Sequence, residues 1–325
     1  MDAVAGLLDG PRARGAFLLR SQLDPPWSMR IADEAPLCLI AITRGEAWLI
    51  PDNDEPLLLG PGDVAVIRGP DAYTLADDPA TPPQVIVLPG QRCETPDGQQ
   101  VQLMSFMGVR TWGNSPVGST VMVNGTYELE SEVSRRLLGA LPPLLVLPSD
   151  AWETPLVGLL AEEIVKDDPG QEAVLDRLLD LLLIAVLRAW FARPAAEAPA
   201  WYRAYSDPVV GTTLRLIHNN PAHAWTVAEL AAEAGVSRAA FARRFSELVG
   251  EPPMKFLTDW RLSLAADLLL EPEATIGSVA YQVGYATPFA LSAAFKRVRG
   301  ISPRQYKLGA LAGGTRAEAG AVLSP

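Results

Sequence analysis

The sequence is short of the residues that build metal sites and covalent crosslinks. Its 325 residues include two histidines, His218 and His223, and two cysteines, Cys38 and Cys93. The cysteines have neither metal-ligand spacing nor the pattern of a disulfide framework. Both histidines fall in the last third, so the first 200 residues cannot supply a histidine-rich metal site, and metal-dependent chemistry there loses its ligands. Long apolar runs are missing too. The run Leu181 to Leu187, bounded by Asp180 and Arg188, is too short to span a membrane. Met1 to Gly10 has neither the basic segment nor the apolar core of a leader, so the chain reads as cytoplasmic with no membrane partner.

Basic charge is also scarce: 27 lysines and arginines face 38 acidic residues, a net charge of −11. That balance speaks against a nucleic-acid partner until its distribution is considered. Residues 201–310 carry 12 basic against 9 acidic residues, a net of +3, whereas residues 1–200 carry 14 against 28, a net of −14. The basic surplus sits where phosphates could be met. The acidic part reads as a solvated surface. Length and a hydrophobic share of 49% fit a folded protein of two domains.

One pattern in the last third is written twice. TVAELAAEAGVSRAAFARRFSELVGEPPMKF runs from Thr226 to Phe256, and TIGSVAYQVGYATPFALSAAFKRVRGISPRQY from Thr275 to Tyr306. Thr226 matches Thr275, Gly235 matches Gly284, and after one extra residue Phe241 matches Leu291 and Phe245 matches Phe295. Each copy reads as helix, turn and helix. Thr226 is an N-cap, and Glu229 is expected to complete a capping box. Val227, Leu230 and Ala231 make one apolar face. Gly235 ends the helix in a left-handed conformation. Ser237 caps a second helix whose stripe is Phe241, Phe245 and Leu248. In the second copy Thr275, Gly284 and Thr287 take these places, with Pro288 at the first helical position. Small Ala231 and Ala280 allow close helix approach. This is the helix-turn-helix grammar, whose second helix enters the DNA major groove. Lys255 to Leu270 reads as a connecting helix with Phe256, Leu257, Trp260, Leu264 and Leu268 buried, stopped at Glu271-Pro272.

The tandem, ending in GISPRQY, resembles the DNA-binding domain of AraC/XylS-type transcription regulators over about the last 120 residues. Upstream, residues 36–125 read as short strands separated by Gly/Pro turns, a sandwich or barrel. Gly60-Pro61-Gly62-Asp63 between two strands, with Arg44-Gly45 before it, resembles the cupin jelly roll found ahead of the tandem in many such regulators. Where a cupin metal motif would fall the chain has EAWLIPDNDEP, so Glu46 and Asp63 are expected to face solvent or close turns, and no metal or other cofactor is implied. Residues 1–30 read as an arm with a short helix and a strand, anchored by Trp27. Leu141 to Pro148 reads as an extended connector. Glu153 to Lys166 reads as a helix with Leu156, Leu159, Leu160 and Ile164 on one face, and Asp168-Pro169 as the cap of a second helix reaching Phe191. The second helix is apolar on more than one face, which points to a dimerisation surface.

The fold expected is α+β: a cupin-like β-barrel with a helical hairpin (1–192), a linker (193–206), and an all-α domain (207–310) with helix-turn-helix units at 226–248 and 275–298. Residues 311–325 read as a disordered tail. Asp207 caps the opening helix of the second domain, and His218 reads as structural. The resemblance implies operator DNA and RNA polymerase as partners, a small-molecule effector in the barrel, and a homodimer. The alternative is a ligand-free regulator whose cupin serves dimerisation alone; an enzymatic cupin is the third reading. For the DNA contacts, the first unit offers Arg238, Ala239, Ala242, Arg243 and Arg244. Among the positions that the resemblance places at base edges (Ala239, Ala242 and Arg243), only Arg243 can make a bidentate contact to guanine. Its alternative is phosphate, the expected partner of Arg244. The second unit offers Thr287, Pro288, Phe289, Ser292, Lys296 and Arg297. There Ala293 stands where many relatives carry arginine, and Phe289 meets either a thymine methyl or the core. Lys296, Arg297 and Arg299 are expected at phosphates. The candidates for redox chemistry are Cys93, in a polar loop beside Arg92, and Cys38, whose apolar run favours burial.

Overall fold

A computed structural model of the chain describes residues 16–99, 101, 105–127, 141–152, 154–193, 203–271 and 273–309. The expected tail, most of the linker and the helix expected near the N-terminus lie outside the described residues. What is described falls into two compact units, 16–193 and 203–309.

The first unit begins with β1 (Phe17–Leu23), β2 (Ser28–Ile31), β3 (Leu37–Arg44), β4 (Ala47–Pro51), β5 (Leu57–Leu59), β6 (Val64–Arg68) and β7 (Tyr73–Ala76). It continues with β8 (Val85–Leu88), β9 (Arg92–Glu94), β10 (Ser105–Gly108), β11 (Thr111–Gly113), β12 (Thr120–Tyr127) and β13 (Leu144–Leu147). Among the described residues these form two sheets, in the orders β10-β11-β1-β12-β3-β6-β13 and β5-β4-β7-β2-β8-β9. Side chains from both sheets enclose one core: Cys38, Ile40, Ile42 and Met122 from the first, Met29, Leu49, Leu75 and Val85 from the second, with Trp27 wholly buried among them. Leu39 and Ala41, on the opposite face of β3, are equally buried. They are covered by a hairpin of α1 (Leu156–Glu163), which packs on β3, and α2 (Gln171–Phe191), which packs on β13. A strand covered on both faces shows no polar alternation, which is why LCLIAI reads as one apolar run. Gly125 on β12 makes room for the hairpin, since a Cβ there would lie 2.5 Å from Leu179 Cδ1.

Several expectations need correction here. Leu144–Leu147 is a strand, antiparallel to β6 with Leu145 opposite Val66. Its flanking prolines are tolerated because β13 is the sheet edge, where a missing donor leaves no partner unpaired. Phe17–Leu23 is a strand, as expected after the N-terminal segment, but an inner one between β11 and β12 rather than part of an arm. Cys93 lies on β9 opposite Val87 rather than in a loop. In α1, Leu159 points outward at 47% exposure, and Val157, Leu160 and Ile164 make the buried side. Asp168 does not cap α2 with its side chain: Gly170 (φ 85) leads into the helix, and Asp168 gives only its carbonyl to Gln171 N–H at 3.1 Å. Leu182 and Leu183 belong to one buried stripe with Leu175, Leu179, Val186 and Leu187, whereas Val174 and Leu181 stand exposed on another. Among the described residues no helix is long and apolar enough to cross a membrane.

The second unit consists of α3 (Val210–Asn219), α4 (Val227–Glu233), α5 (Arg238–Val249), α6 (Pro253–Leu269), α7 (Ile276–Gln282), α8 (Pro288–Arg299) and a helical stretch over 303–309. It has two hydrophobic clusters, and α6 serves both. Phe256, Leu257 and Trp260 join Leu214, Leu230, Phe241 and Phe245 in the first. Leu262, Ala265, Ala266 and Leu269 join Val279, Leu291 and Phe295 in the second. The connecting helix therefore starts two residues earlier than expected, at Pro253. Its second half uses Leu262 and Leu269, while the expected Leu264 and Leu268 are half-buried. His218 is structural, as expected: it is buried, pairs through Nδ1 with Tyr205 Oη, and sits edge-on to Trp260 at 4.5 Å.

Candidate nucleic-acid interface

The two helix-turn-helix units share a framework but distribute its hydrogen bonds differently. In the first, Thr226 Oγ1 accepts the Glu229 N–H at 3.1 Å. The expected capping box is not closed, because Glu229 Oε1 turns to His223 Nε2 at 2.7 Å. The box is found in the second unit, where Thr275 Oγ1 accepts the Ser278 N–H at 3.0 Å and Ser278 Oγ accepts the Thr275 N–H at 3.1 Å. Both turns close in the same way. Gly235 (φ 69) and Gly284 (φ 81) are left-handed. Val236 N–H reaches Ala231 O at 3.0 Å, and Tyr285 N–H reaches Ala280 O at 2.8 Å. Ser237 Oγ then caps α5 through Ala240 N–H, and Thr287 Oγ1 caps α8 through Ala290 N–H. Each such cap stabilises its helix by about 1 kcal/mol.

The buried stripes fix which faces remain outside. Phe241 and Phe245 in α5, and Leu291 and Phe295 in α8, have no exposed surface. On the outer face of α5 lie Arg238, Ala239 and Arg243, exposed, with Ala242 half-buried. Among the described residues Arg243 is held only by a loose pair to Glu247, 3.8 Å apart, with both side chains mostly in water (76% and 65% exposed). Such a pair is easily given up to a stronger acceptor. Arg244 is placed differently. Its Nε and Nη2 both donate to Asp207 Oδ2, at 2.9 and 2.6 Å. Asp207 Oδ1 meanwhile accepts the N–H groups of Val209 and Val210, the cap expected at the start of α3. Burial works to raise the Asp207 pKa, but these hydrogen bonds outweigh it and hold the carboxyl below its ordinary value. A phosphate contact by Arg244 has to displace this pair. The sequence carried no signal for it, since the partners are 37 residues apart.

The outer face of α8 carries Pro288, Phe289 and Ala293, exposed, with Ser292 half-buried. Phe289 is 82% exposed, so its core alternative falls. Burying a phenyl ring is worth about 1.5–3 kcal/mol, which this side chain forgoes within its own unit. Lys296 and Arg297 are exposed beyond it. Arg299 is turned inward, donating from Nη2 to Ser263 Oγ at 3.2 Å.

In the first unit, Cys38 is buried beside Thr126, and burial pushes its thiol up to about 11. Cys93 is exposed, yet the protein around its thiol also raises its pKa, and Arg92 Nε donates instead to Pro89 O at 3.4 Å. Neither thiol has the lowered pKa that marks a reactive cysteine. Asp63 closes a turn, accepting Gly60 N–H and Ser149 N–H at 2.7 Å each, and Glu46 is exposed. Among the described residues no three His, Cys, Asp or Glu side chains are placed to hold a metal ion. A cavity of about 130 Å³ opens between Leu49, Ile67, Tyr73 and Leu144, with Asp52 and Arg68 in its lining.

Comparison with known proteins gives three family matches. A cupin profile covers residues 2–192, and a helix-turn-helix domain profile covers 230–308. A profile of bacterial regulatory proteins of the tetR family matches 210–247, which spans α3, α4 and most of α5. A putative AraC-like transcription regulator of Streptomyces lividans is 34% identical over 286 residues, 86% of this chain and 90% of the relative. Another, from Streptomyces antibioticus, is 33% identical over 272 residues, 82% of this chain and 85% of the relative. The HTH-type transcriptional regulator AlkR of Acinetobacter baylyi is 26% identical over 318 residues, 94% of this chain and 99% of the relative.

Proposed function

The chain belongs to the AraC-like transcription regulators, a DNA-binding family, and from that premise we propose that it is an effector-controlled homodimer that reads its operator chiefly through Arg243. The observation that carries this reading is the exposed guanidinium on the face of α5 opposite the buried Phe241 and Phe245. Arginine in that setting makes the bidentate guanine contact. Arg238, Lys296 and Arg297 hold phosphates, adding affinity and salt dependence without sequence information. Phe289 packs on a thymine methyl. RNA polymerase is the partner through which occupancy alters transcription. The cavity beside Tyr73 supports a small organic effector acting in the cytoplasm, and the raised pKa of both thiols favours it over a redox signal. Dimerisation runs through α2, by the exposed Val174 and Leu181 rather than Leu182 and Leu183.

Selection of bound sequences from randomised DNA, with the wild type and Arg243→Ala, tests the reading. A guanine requirement that the variant loses supports it. Equal weakening on all sequences shows a phosphate contact instead. Sedimentation of a wild-type monomer at micromolar concentration removes the dimer, and a metabolite panel that never raises the melting temperature favours the ligand-free alternative.

A further inference from the structure

The loop that leads into α4 is gripped from outside its own helix-turn-helix unit. Arg261, in the middle of α6, donates from Nε to Pro221 O and from Nη2 to His223 O, both at 2.6 Å. Its guanidinium also lies over the ring of Tyr285, 6.0 Å from the centroid, and Tyr285 lies in the turn between α7 and α8. Gly284, in the same turn, touches the same loop. A Cβ there would lie 2.6 Å from Ala222 O and 2.7 Å from Ala222 Cα. The matching glycine of the first unit, Gly235, faces open space. Residues 221–223 are therefore held by the connecting helix and the second turn together.

One helix between two hydrophobic clusters fixes the distance between them more firmly than their relative rotation, because apolar packing has no direction. A planar guanidinium spanning two carbonyls does have direction. We infer that Arg261 is a positioning residue that sets the rotational phase of α5 against α8, and thereby the spacing between the two DNA blocks the protein accepts. This rests on the reading that both helices enter the groove. One inserted base pair shifts the second block by about 3.4 Å and turns it by about 35°. A locked pair of units resists that shift; a hinged pair follows it.

The test uses full-length protein and its selected site at natural spacing, and with one base pair added or removed between the blocks. The wild type is expected to prefer natural spacing by about tenfold, the size of one mismatched pair. Arg261→Gln is expected to cut that preference to about threefold or less, with binding to a site holding the first block alone changed by no more than about twofold. Arg261→Lys, whose ammonium keeps the charge and can donate but lacks the fixed planar fork, is expected to fall between them. Far-UV circular dichroism and thermal melting accompany each variant, and if the Gln variant unfolds the Lys variant carries the test. A role confined to stability lowers binding at every spacing alike, so an unchanged preference in a folded variant overturns the inference while sparing the two-block reading. A wild type indifferent to spacing overturns both.

Discussion

The two helix-turn-helix units of this chain are alike where they are buried and unlike where they are exposed. Phe241 and Phe245 answer to Leu291 and Phe295, and each pair is fully buried. Both turns use a left-handed glycine and the same backbone closure. On the outer faces the correspondence fails: Ala239 stands against Phe289, and Arg243 against Ala293. The packing that makes a helix-turn-helix uses few positions, so the remaining ones are free to differ in chemistry. One framework can then carry a polar reader and an apolar one.

The sharpest way to break the likeness is at its glycines. Gly284→Ala puts a methyl against the Ala222 backbone and forces alanine into a left-handed conformation. It is expected to destabilise the protein by about 3–4 kcal/mol, from conformational strain and overpacking together. Gly235→Ala meets open space and is expected to cost only the strain, about 1–2 kcal/mol. Denaturant unfolding of both variants checks this, and equal losses refute the role given to the Ala222 contact. Next in size is the reader. Arg243→Ala is expected to lower affinity for the selected site by about 1–3 kcal/mol without loss of fold, whereas Ala293→Ser leaves affinity within about 0.5 kcal/mol. Competition binding measures both.

Much of this was legible in the sequence, for a physical reason. Caps, glycine turns and apolar stripes are local, so Thr226, Ser237, Gly235 and the Phe241/Phe245 stripe could be read from spacing alone. Contacts between distant residues could not. Glu229 has the spacing of a capping box but is taken by His223. Arg244 looks like a free cation until Asp207 is brought beside it, and Arg261 has no sequence partner at all. Leu144–Leu147 was misread because prolines normally exclude strands, and only the sheet order makes it an edge.

Smaller effects sharpen the comparison further. Ser278→Ala removes one side of a reciprocal cap and is expected to cost about 0.5–1 kcal/mol, while Glu229→Ala, whose carboxylate caps nothing, costs less. Asp207 gives the weakest signal. Its carboxyl is held below the ordinary carboxylate value, so the stability it contributes is fully present above about pH 4 and is lost as pH falls through the lowered value. Asp207→Asn is expected to cost most at neutral pH, where the carboxylate's contribution is fully present, and least in acid, so that the acid limb of the melting curve flattens.

The asymmetry between the units is tested most directly by the information content of the operator. Full-length protein is presented with DNA in which the block under α5 and the block about one helical turn away under α8 are randomised in turn. The expected result is a guanine-bearing block of high information under Arg243 and a degenerate block under Phe289 and Ala293. Equal information in both, or a strict guanine in the second, contradicts the account.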